Sequence, residues 1–197
     1  MTQNPAVFRI AGVPQMKMVL ARARAGDPWA LRARTIRGQD LSGMDFSGLR
    51  FDSFTFEDCR LDNCNFRGAD FADLCIKVSS AREADFRDST GDLMLTDVVA
   101  PGIDFRNVAL QAAGLVHVDI RGGHLDGADF RGGGLIKQVR ACPGELAGCY
   151  PGRHKELAEI ATADLPPAVR SLARAVLDDW DGTVDDAIAT AELMHSA

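Results

Sequence analysis

Large apolar residues recur at every fifth position through the middle of this chain. That spacing matches neither the period of about 2 of a strand nor the period of about 3.6 of a helix. The residue two positions before each of these centres is usually small or apolar as well, and the residues between them are mostly polar or glycine. A short fixed repeat is typical of a chain wound into a coil whose turns stack on one another. The centres are Ile36, Leu41, Phe46, Phe51, Phe56, Leu61, Phe66, Phe71, Ile76 and Phe86, then Leu95, Phe105, Leu110, Leu115, Ile120, Leu125, Phe130 and Leu135.

Two of every five side chains are therefore expected to point into the coil. Ten of the thirteen aromatic residues are Phe, and most of them occupy the repeat centres. Each such ring contributes roughly 1.5–3 kcal/mol when it is fully removed from water. We predict a structural core that includes Phe46, Phe51, Phe56, Phe66, Phe71, Phe86, Phe105 and Phe130.

The repeat resembles that of the pentapeptide-repeat family, whose pattern is A-(D/N)-(L/F)-x-x. The clearest copies are residues 69–73 (ADFAD), 84–88 (ADFRD) and 128–132 (ADFRG). The resemblance covers about half of the chain and implies a mainly β solenoid, a right-handed quadrilateral β-helix with four pentapeptides per coil. Residues twenty apart should then stack, as Phe46, Phe66 and Phe86 do in type. Residues 36–140 would form about five coils.

The five-residue spacing is interrupted once, because Phe86 and Phe105 are nineteen rather than twenty residues apart. A one-residue deletion at a corner, near Thr90 or Gly91, is the simplest explanation. Structural tolerance and a functional irregularity both remain open as its meaning. In the second half, Leu95, Leu115 and Leu135 should align, and the pattern is expected to stop after Leu135.

Both ends of the chain lack the repeat and are expected to be helical. In residues 1–35, an apolar face including Met16 and Leu20 predicts a helix that ends at Gly26 and caps the first coil, as solenoid ends require. A short turn starting at Asp27-Pro28 should follow it.

Residues 141–197 should form a loop and a C-terminal helical module. We predict helices near residues 153–163, from Pro166-Pro167, and from an N-cap at Thr183. The module either folds over the last coil or offers an apolar stripe to a second subunit or partner. The candidate partner-binding residues on this stripe are Val169, Leu172, Val176, Trp180, Val184 and Ile188.

Charge is distributed unevenly along the chain. The net charge is −6 overall, made up of +5 in residues 1–35, −5 in residues 36–140 and −6 in residues 141–197. Two interpretations fit: solvated ends, or ends that favour head-to-tail contacts and oppositely charged partners. The acidic total argues against a general nucleic-acid binder, so direct nucleic-acid binding is not expected.

No residue pattern predicts an active site, a cofactor or a metal centre. The His residues lack metal-ligand spacing, and no nucleophile is paired with a base. Cys59 and Cys64 are expected in the core, and a disulfide between Cys142 and Cys149 remains open. The recurrent Asp before each centre should bond to turn amides. We therefore predict a protein that is not an enzyme.

The favoured function is a non-enzymatic interaction or scaffold protein that joins a larger complex, such as a phage particle or another multi-protein machine. It would bind a protein partner or self-associate through the rod ends or the C-terminal helices. The alternative comes from the family resemblance: a DNA mimic that binds type II topoisomerase (DNA gyrase) and protects it against quinolones or toxins. Residues 1–12 show no signal peptide and no apolar run reaches about 20 residues, so a cytoplasmic location is expected.

Overall fold

The computed structural model of this protein describes residues 13–196. The expectation about a signal peptide in residues 1–12 lies outside the described residues. Six parallel strands run through the middle of the chain, with one helix before them and three after them. The elements are α1 (Val13–Arg24), β1 (Arg32–Arg37), β2 (Arg50–Glu57), β3 (Asp70–Lys77), β4 (Thr90–Thr96), β5 (Ala109–Val116), β6 (Gly134–Lys137), a 3-10 helix (Pro143–Leu146), α2 (Lys155–Ala161), α3 (Pro167–Leu177) and α4 (Val184–Ser196).

The strands form one sheet in which each strand pairs with the next one in sequence. β1, β2 and β3 pair in a register of twenty residues, as in Thr35–Thr55–Cys75. Three further columns of backbone bridges run along the rod at spacings of nineteen to twenty-one residues, one of them beginning Asp45–Asn65–Asp85. The strand face and these three columns give each coil four sides. The structure is therefore a β-solenoid of about five turns, which confirms the predicted fold class.

Phenylalanine rings fill the first coils. All eight predicted core phenylalanines are fully buried, and Phe54 is buried with them. Phe66 is stacked between Phe46 and Phe86, with ring centroids 4.8 Å and 4.6 Å apart. Edge-to-face contacts join neighbouring sides of the coil, as between Phe46 and Phe51 at 6.0 Å, and opposite sides, as between Phe46 and Phe56 at 5.6 Å. Stacked and edge-to-face rings are the favoured aromatic geometries.

The corners of the coil explain the polar positions of the repeat. Many corner residues have φ near +50° to +75°, as at Gly43, Gly48 and Asn63, a region that suits Gly and Asn. The Asp before a centre accepts a hydrogen bond from the backbone N–H two residues later, for example from Ser47 to Asp45 at 3.1 Å. The predicted role of the Asp ladder in binding turn amides is confirmed.

The nineteen-residue spacing arises within β4, where the pairing register shifts against both β3 and β5. Gly91 pairs with Phe71 on one side and with Leu110 on the other. The next pairs are Leu93 with Leu74 and Asp92 with Ala112, so β4 has one residue fewer than each neighbour at this position. Gly91 stands where the coil before it has a Phe, and its absent Cβ would lie 2.1 Å from the carbonyl oxygen of Phe71.

A second register change, which the sequence analysis missed, follows at the end of the rod. Leu115 pairs with Ile136 rather than Leu135, twenty-one residues on. Leu135 is 55% exposed, whereas Ile136 is 9% exposed. The predicted alignment of Leu135 with Leu95 and Leu115 is wrong, because residues 132–134 are three glycines that accommodate one extra residue.

The repeat also continues beyond Leu135, contrary to expectation. Asp119 pairs with Arg140, and Asp129 pairs with Tyr150. Leu146, in the 3-10 helix, is fully buried, and the backbone N–H of Gly127 donates to the oxygen of Gly148. Residues 134–150 therefore complete the last coil, although a loop was predicted from residue 141 onwards.

Helices cover both ends of the rod. Met16, Val19 and Leu20 of α1 are buried, and Gly26 follows α1 with φ +86°. After the rod, α2, α3 and α4 appear where the sequence predicts helices. Thr183 caps α4 as expected, since its side-chain oxygen accepts the N–H of Asp186. Among the described helices, none has the length and apolar character to cross a membrane.

Candidate interaction surfaces

The outer surface of the first coils carries charged side chains that pair from one coil to the next. Arg37 donates to Glu57 at 2.6 Å, and Lys77 lies 3.4 Å from the same carboxylate. Arg50 pairs with Asp70 in the same way. The Arg37 hydrogen bond holds the pKa of the Glu57 carboxyl below its usual range. These pairs form because side chains twenty residues apart lie side by side on a coil.

In the later coils most arginine pairs form within a single turn, although His117 and Asp97 pair between coils. Each Arg is two residues after an Asp and donates to it through both the backbone N–H and the guanidinium. The guanidinium distances are 2.6 Å for Arg87–Asp85 and Arg106–Asp104, 2.5 Å for Arg121–Asp119 and 2.7 Å for Arg131–Asp129. The hydrogen bonds from Arg87 and Arg121 lower the pKa of Asp85 and Asp119 respectively. Many carboxylates of the rod are thus neutralised by arginine.

The strand face changes character along the rod. Its outward column runs through Thr55, Cys75, Met94, Gly114 and Leu135. On β4 and β5 the residues flanking this column are also uncharged, apart from Asp92, which pairs with Ala112. We call this surface the uncharged platform and define it by Thr90, Met94, Thr96, Ala109, Ala112, Gly114 and Val116. The Met94 thioether lies over Gly114, where a Cβ would meet its sulfur at 2.1 Å.

The C-terminal helical module uses most of its predicted partner-binding stripe internally. Val169 and Val184 are buried. Leu172, Val176, Trp180 and Ile188 are partly buried against the core clusters. The Trp180 indole N–H donates to the oxygen of Thr183 at 3.1 Å. Of the two alternatives for the module, these contacts favour the one in which it folds over the last coil.

Several hydrogen bonds attach this module to the rod, among them one from the backbone N–H of Val139 to Glu156 at 2.6 Å. The backbone N–H of Val184 donates to the oxygen of Cys149. Arg131, already paired with Asp129, donates to Asp181 at 3.0 Å. A His154 ring nitrogen lies 3.0 Å from the oxygen of Phe130. Beside these contacts lies a cleft of about 520 Å³, lined by Arg131, Gly133, Gly134, Gly152, Arg153, His154, Asp179, Trp180 and Asp181.

The cysteines and histidines form no recognisable chemical site. All five thiols are free, so Cys142 and Cys149 are not bonded to each other. Burial raises the pKa of Cys64 and of Cys149 to about 12. His117 pairs with Asp97 at 2.9 Å. Within residues 13–196, no three His, Cys, Asp or Glu side chains are grouped to hold a metal ion.

Sequence analysis missed the exposed apolar side chains at the two ends. Met18 and Trp29 are 67% and 61% exposed near the N-terminal end, and Leu193 and Met194 are 74% and 56% exposed on α4. A helical projection could have found Met18, since it falls opposite the buried Met16–Leu20 face of α1. The exposure of Leu193 and Met194 depends on how α4 packs.

A family model matches part of the repeat, and several solved structures are similar to the chain at low identity. The family model described as "Pentapeptide repeats" matches residues 51–90 in eight copies. A trypsin-treated form of QnrB1, a plasmid-mediated fluoroquinolone resistance protein, is 17% identical over 60% of this chain and 75% of its own, with a TM-score of 0.46. Rfr23, a pentapeptide repeat protein from the cyanobacterium Cyanothece 51142, is 9% identical over 56% of this chain and 58% of its own, with a TM-score of 0.32. A pentapeptide repeat protein from the Arabidopsis thaliana thylakoid lumen is 23% identical over 78% of this chain and 90% of its own, with a TM-score of 0.21. No curated protein sequence matches the chain.

The four-sided coil with buried centres at every fifth residue defines a β-solenoid. Within this solenoid, residues 51–90 match the pentapeptide-repeat family model in eight copies.

Proposed function

We propose that this protein is a non-catalytic scaffold that docks onto other protein subunits through the two ends of its rod. The observation that carries the proposal is the contrast between the rod and its ends. The charged side chains of the rod are largely paired with each other, while Met18, Trp29, Leu193 and Met194 are exposed at the ends. Exposed Trp and Met side chains are enriched at protein interfaces.

The interior of the rod supports this role because it is rigid and closed. Stacked Phe rings and a continuous parallel sheet hold the two ends at a fixed separation. A solenoid of this kind presents surfaces rather than a reaction centre. The thiols with the strongest burial, Cys64 and Cys149, are the least suited to act as nucleophiles at neutral pH.

An in-cell cross-linking experiment with the full chain tests the proposal. The substitutions Trp29→Ser and Leu193→Ser change exposed end residues and should each reduce the yield of cross-linked partner subunits. Val99→Ser is the matched control, because Val99 is an exposed apolar residue on the side of the rod. Equal cross-linking by all four proteins would contradict docking through the ends.

A DNA mimic that binds type II topoisomerase is the second candidate, and the negative charge of residues 36–140 favours it. The arginine pairing of Asp85, Asp104, Asp119 and Asp129 counts against it. A DNA mimic needs carboxylates that are free to meet a cationic binding groove, because those charges provide the attraction. We expect no change in DNA supercoiling when the protein is added to purified gyrase. Inhibition of supercoiling, or protection from a quinolone, would favour the mimic instead.

A further inference from the structure

The two ends of the molecule carry opposite charge over the residues that the structure describes. Residues 13–35 contain five basic residues and one acidic residue, a net charge of +4. Residues 141–196 contain four basic and ten acidic residues, a net charge of −6. Because α1 covers one end of the rod and α2–α4 cover the other, these charges are separated along the rod axis.

At the N-terminal end, the basic charge surrounds exposed apolar side chains. Met18 projects from the side of α1 opposite its buried residues, with Lys17 beside it and Arg22 one turn further on. Trp29, in the turn after α1, lies against the guanidinium of Arg32 at 4.7 Å. Three of the arginines at this end form ion pairs, Arg22 with Asp27, Arg24 with Asp45 and Arg32 with Asp52, whereas Lys17 makes no ion pair in the described chain.

At the C-terminal end, the arrangement is similar but the charge is reversed. Leu193 and Met194 are the exposed apolar residues of α4, and Asp185, Asp186 and Glu192 are exposed on the same helix. Of the ten acidic residues in this region, Asp181 is the one that forms an ion pair within the described chain. The acidic charge is therefore largely available to a partner, unlike that of the rod.

We infer that the N-terminal end of one copy docks on the C-terminal end of the next. Met18 and Trp29 would pack against Leu193 and Met194, and the basic and acidic surroundings would attract each other and fix the orientation. Such a contact is heterologous, since two different surfaces meet, and repeating it gives open chains rather than closed pairs. The inference rests on the proposed docking through the ends and names a second copy of this chain as the partner.

Sedimentation velocity of the full chain tests whether this association exists. At an ionic strength of about 0.01 M, where charges act over about 30 Å, the mean sedimentation coefficient should rise steadily with protein concentration. At about 1 M salt, where that range falls to about 3 Å, it should return toward the monomer value. A monomer at every concentration in low salt overturns the inference, and so does association that strengthens with salt.

Blocking one end at a time tests the head-to-tail geometry. Met18→Glu introduces a charge at the N-terminal end, and Leu193→Lys does the same at the C-terminal end. Each should weaken self-association at least about tenfold, because both place a repelling or desolvated charge at the centre of the contact. Both positions are exposed, so the fold should survive. Val99→Glu and Val99→Lys make the same changes on the side of the rod and should associate like the wild type.

Mixing the two blocked proteins gives the decisive result. Each retains one intact end, so an equimolar mixture should form a one-to-one pair and nothing larger. A mixture that stays monomeric, or one that forms long chains, overturns the head-to-tail contact. If the chain is monomeric while Trp29→Ser and Leu193→Ser still lose cross-linked partners in cells, self-association fails and the proposed scaffold function stands.

Discussion

The first and the later coils of the rod follow the same five-residue pattern with different side chains. The first coils, through Phe86, hold most of the phenylalanines, keep a register of twenty residues and pair their surface charges between coils. The later coils are filled mainly by Leu, Ile, Val and Ala, shift register twice and pair most of their arginines within single turns. Large stacked rings fix the spacing of a coil, whereas glycines at Gly91 and residues 132–134 permit it to change.

The outer surface also differs between the first coils and the later coils. Ion pairs such as Arg37–Glu57 and Arg50–Asp70 connect successive strands on the first coils. The uncharged platform occupies the corresponding face of β4 and β5. Surface ion pairs contribute at most about 1 kcal/mol each, so the aromatic interior should decide the stability of the first coils. In the later coils, backbone fit around the glycines should matter more.

The largest effect on stability is expected from Phe66→Asp, in the interior of the first coils. Phe66 is fully buried between two stacked rings, and no cation lies in that interior to pair with a carboxylate. Burying an unpaired charge costs more than a typical domain's stability margin, so we expect the rod to unfold. Circular dichroism melting measures this. Phe66→Leu should retain a cooperative transition, and a Phe66→Asp protein with an unchanged melt would contradict the predicted core.

Gly91→Ala should show that the shortened coil depends on a missing side chain. The added Cβ would meet the carbonyl of Phe71, and Gly91 has φ +105°. We expect a loss of about 2–4 kcal/mol in the free energy of unfolding, from backbone strain and steric overlap together. Gly68→Ala is the control, since its φ is +63° but nothing lies within 4 Å of the new Cβ. It should cost about 1 kcal/mol. If urea titrations gave equal losses in the free energy of unfolding for Gly91→Ala and Gly68→Ala, the backbone conformation alone would determine the cost.

The pair Leu135→Ala and Ile136→Ala tests the register of the last coil directly. Ile136 occupies the inward position beside Leu115, so its truncation should cost about 2–3 kcal/mol. Leu135 is exposed, and its truncation should change stability by less than about 0.5 kcal/mol. Urea midpoints of the two variants measure the difference. A larger loss of stability in Leu135→Ala than in Ile136→Ala would instead support an unbroken five-residue spacing through Leu135.

The comparison also explains which features the sequence could predict. Apart from Ala81, each repeat centre from Ile36 to Phe86 is a large apolar residue at a fixed spacing, so the core and the stacking followed from periodicity. The ion pair of Arg37 with Glu57 could also be predicted from the sequence, because residues twenty apart lie side by side on successive coils. At residues 132–134 no side chain marks the register, and Leu135 and Ile136 are both plausible core residues. Only the hydrogen-bonded pairing distinguishes them.

At the ends, the sequence predicted elements better than surfaces. The N-cap at Thr183 and the start of α3 at Pro167 are local signals, and both helices form there. Whether the apolar stripe of α3 faces the rod or a partner depends on tertiary packing, which no local pattern records. Val169 and Val184 proved to be buried within the protein, while Leu193, which no stripe had singled out, is exposed.

The smallest expected effect concerns the charge pairs within turns, tested by Arg121→Met. The Arg121 guanidinium lowers the pKa of Asp119, so this group stabilises the fold above its unfolded pKa of about 3.9. That contribution is lost as the pH falls through the lower folded value. In Arg121→Met the pKa of Asp119 should rise toward its ordinary value, and unfolding should depend less on pH between about 5 and 2.

A carboxyl NMR titration of Asp119, with urea unfolding at several pH values, measures both changes. Arg82→Met is the matched control, because Arg82 forms no ion pair within the described chain and should leave the Asp119 titration unchanged. An Asp119 pKa that did not move in Arg121→Met would assign its depression to the backbone N–H of the turn. The pH dependence of unfolding in the later coils would then come from turn geometry rather than from arginine. Charge pairs within turns would then differ more clearly from charge pairs between coils.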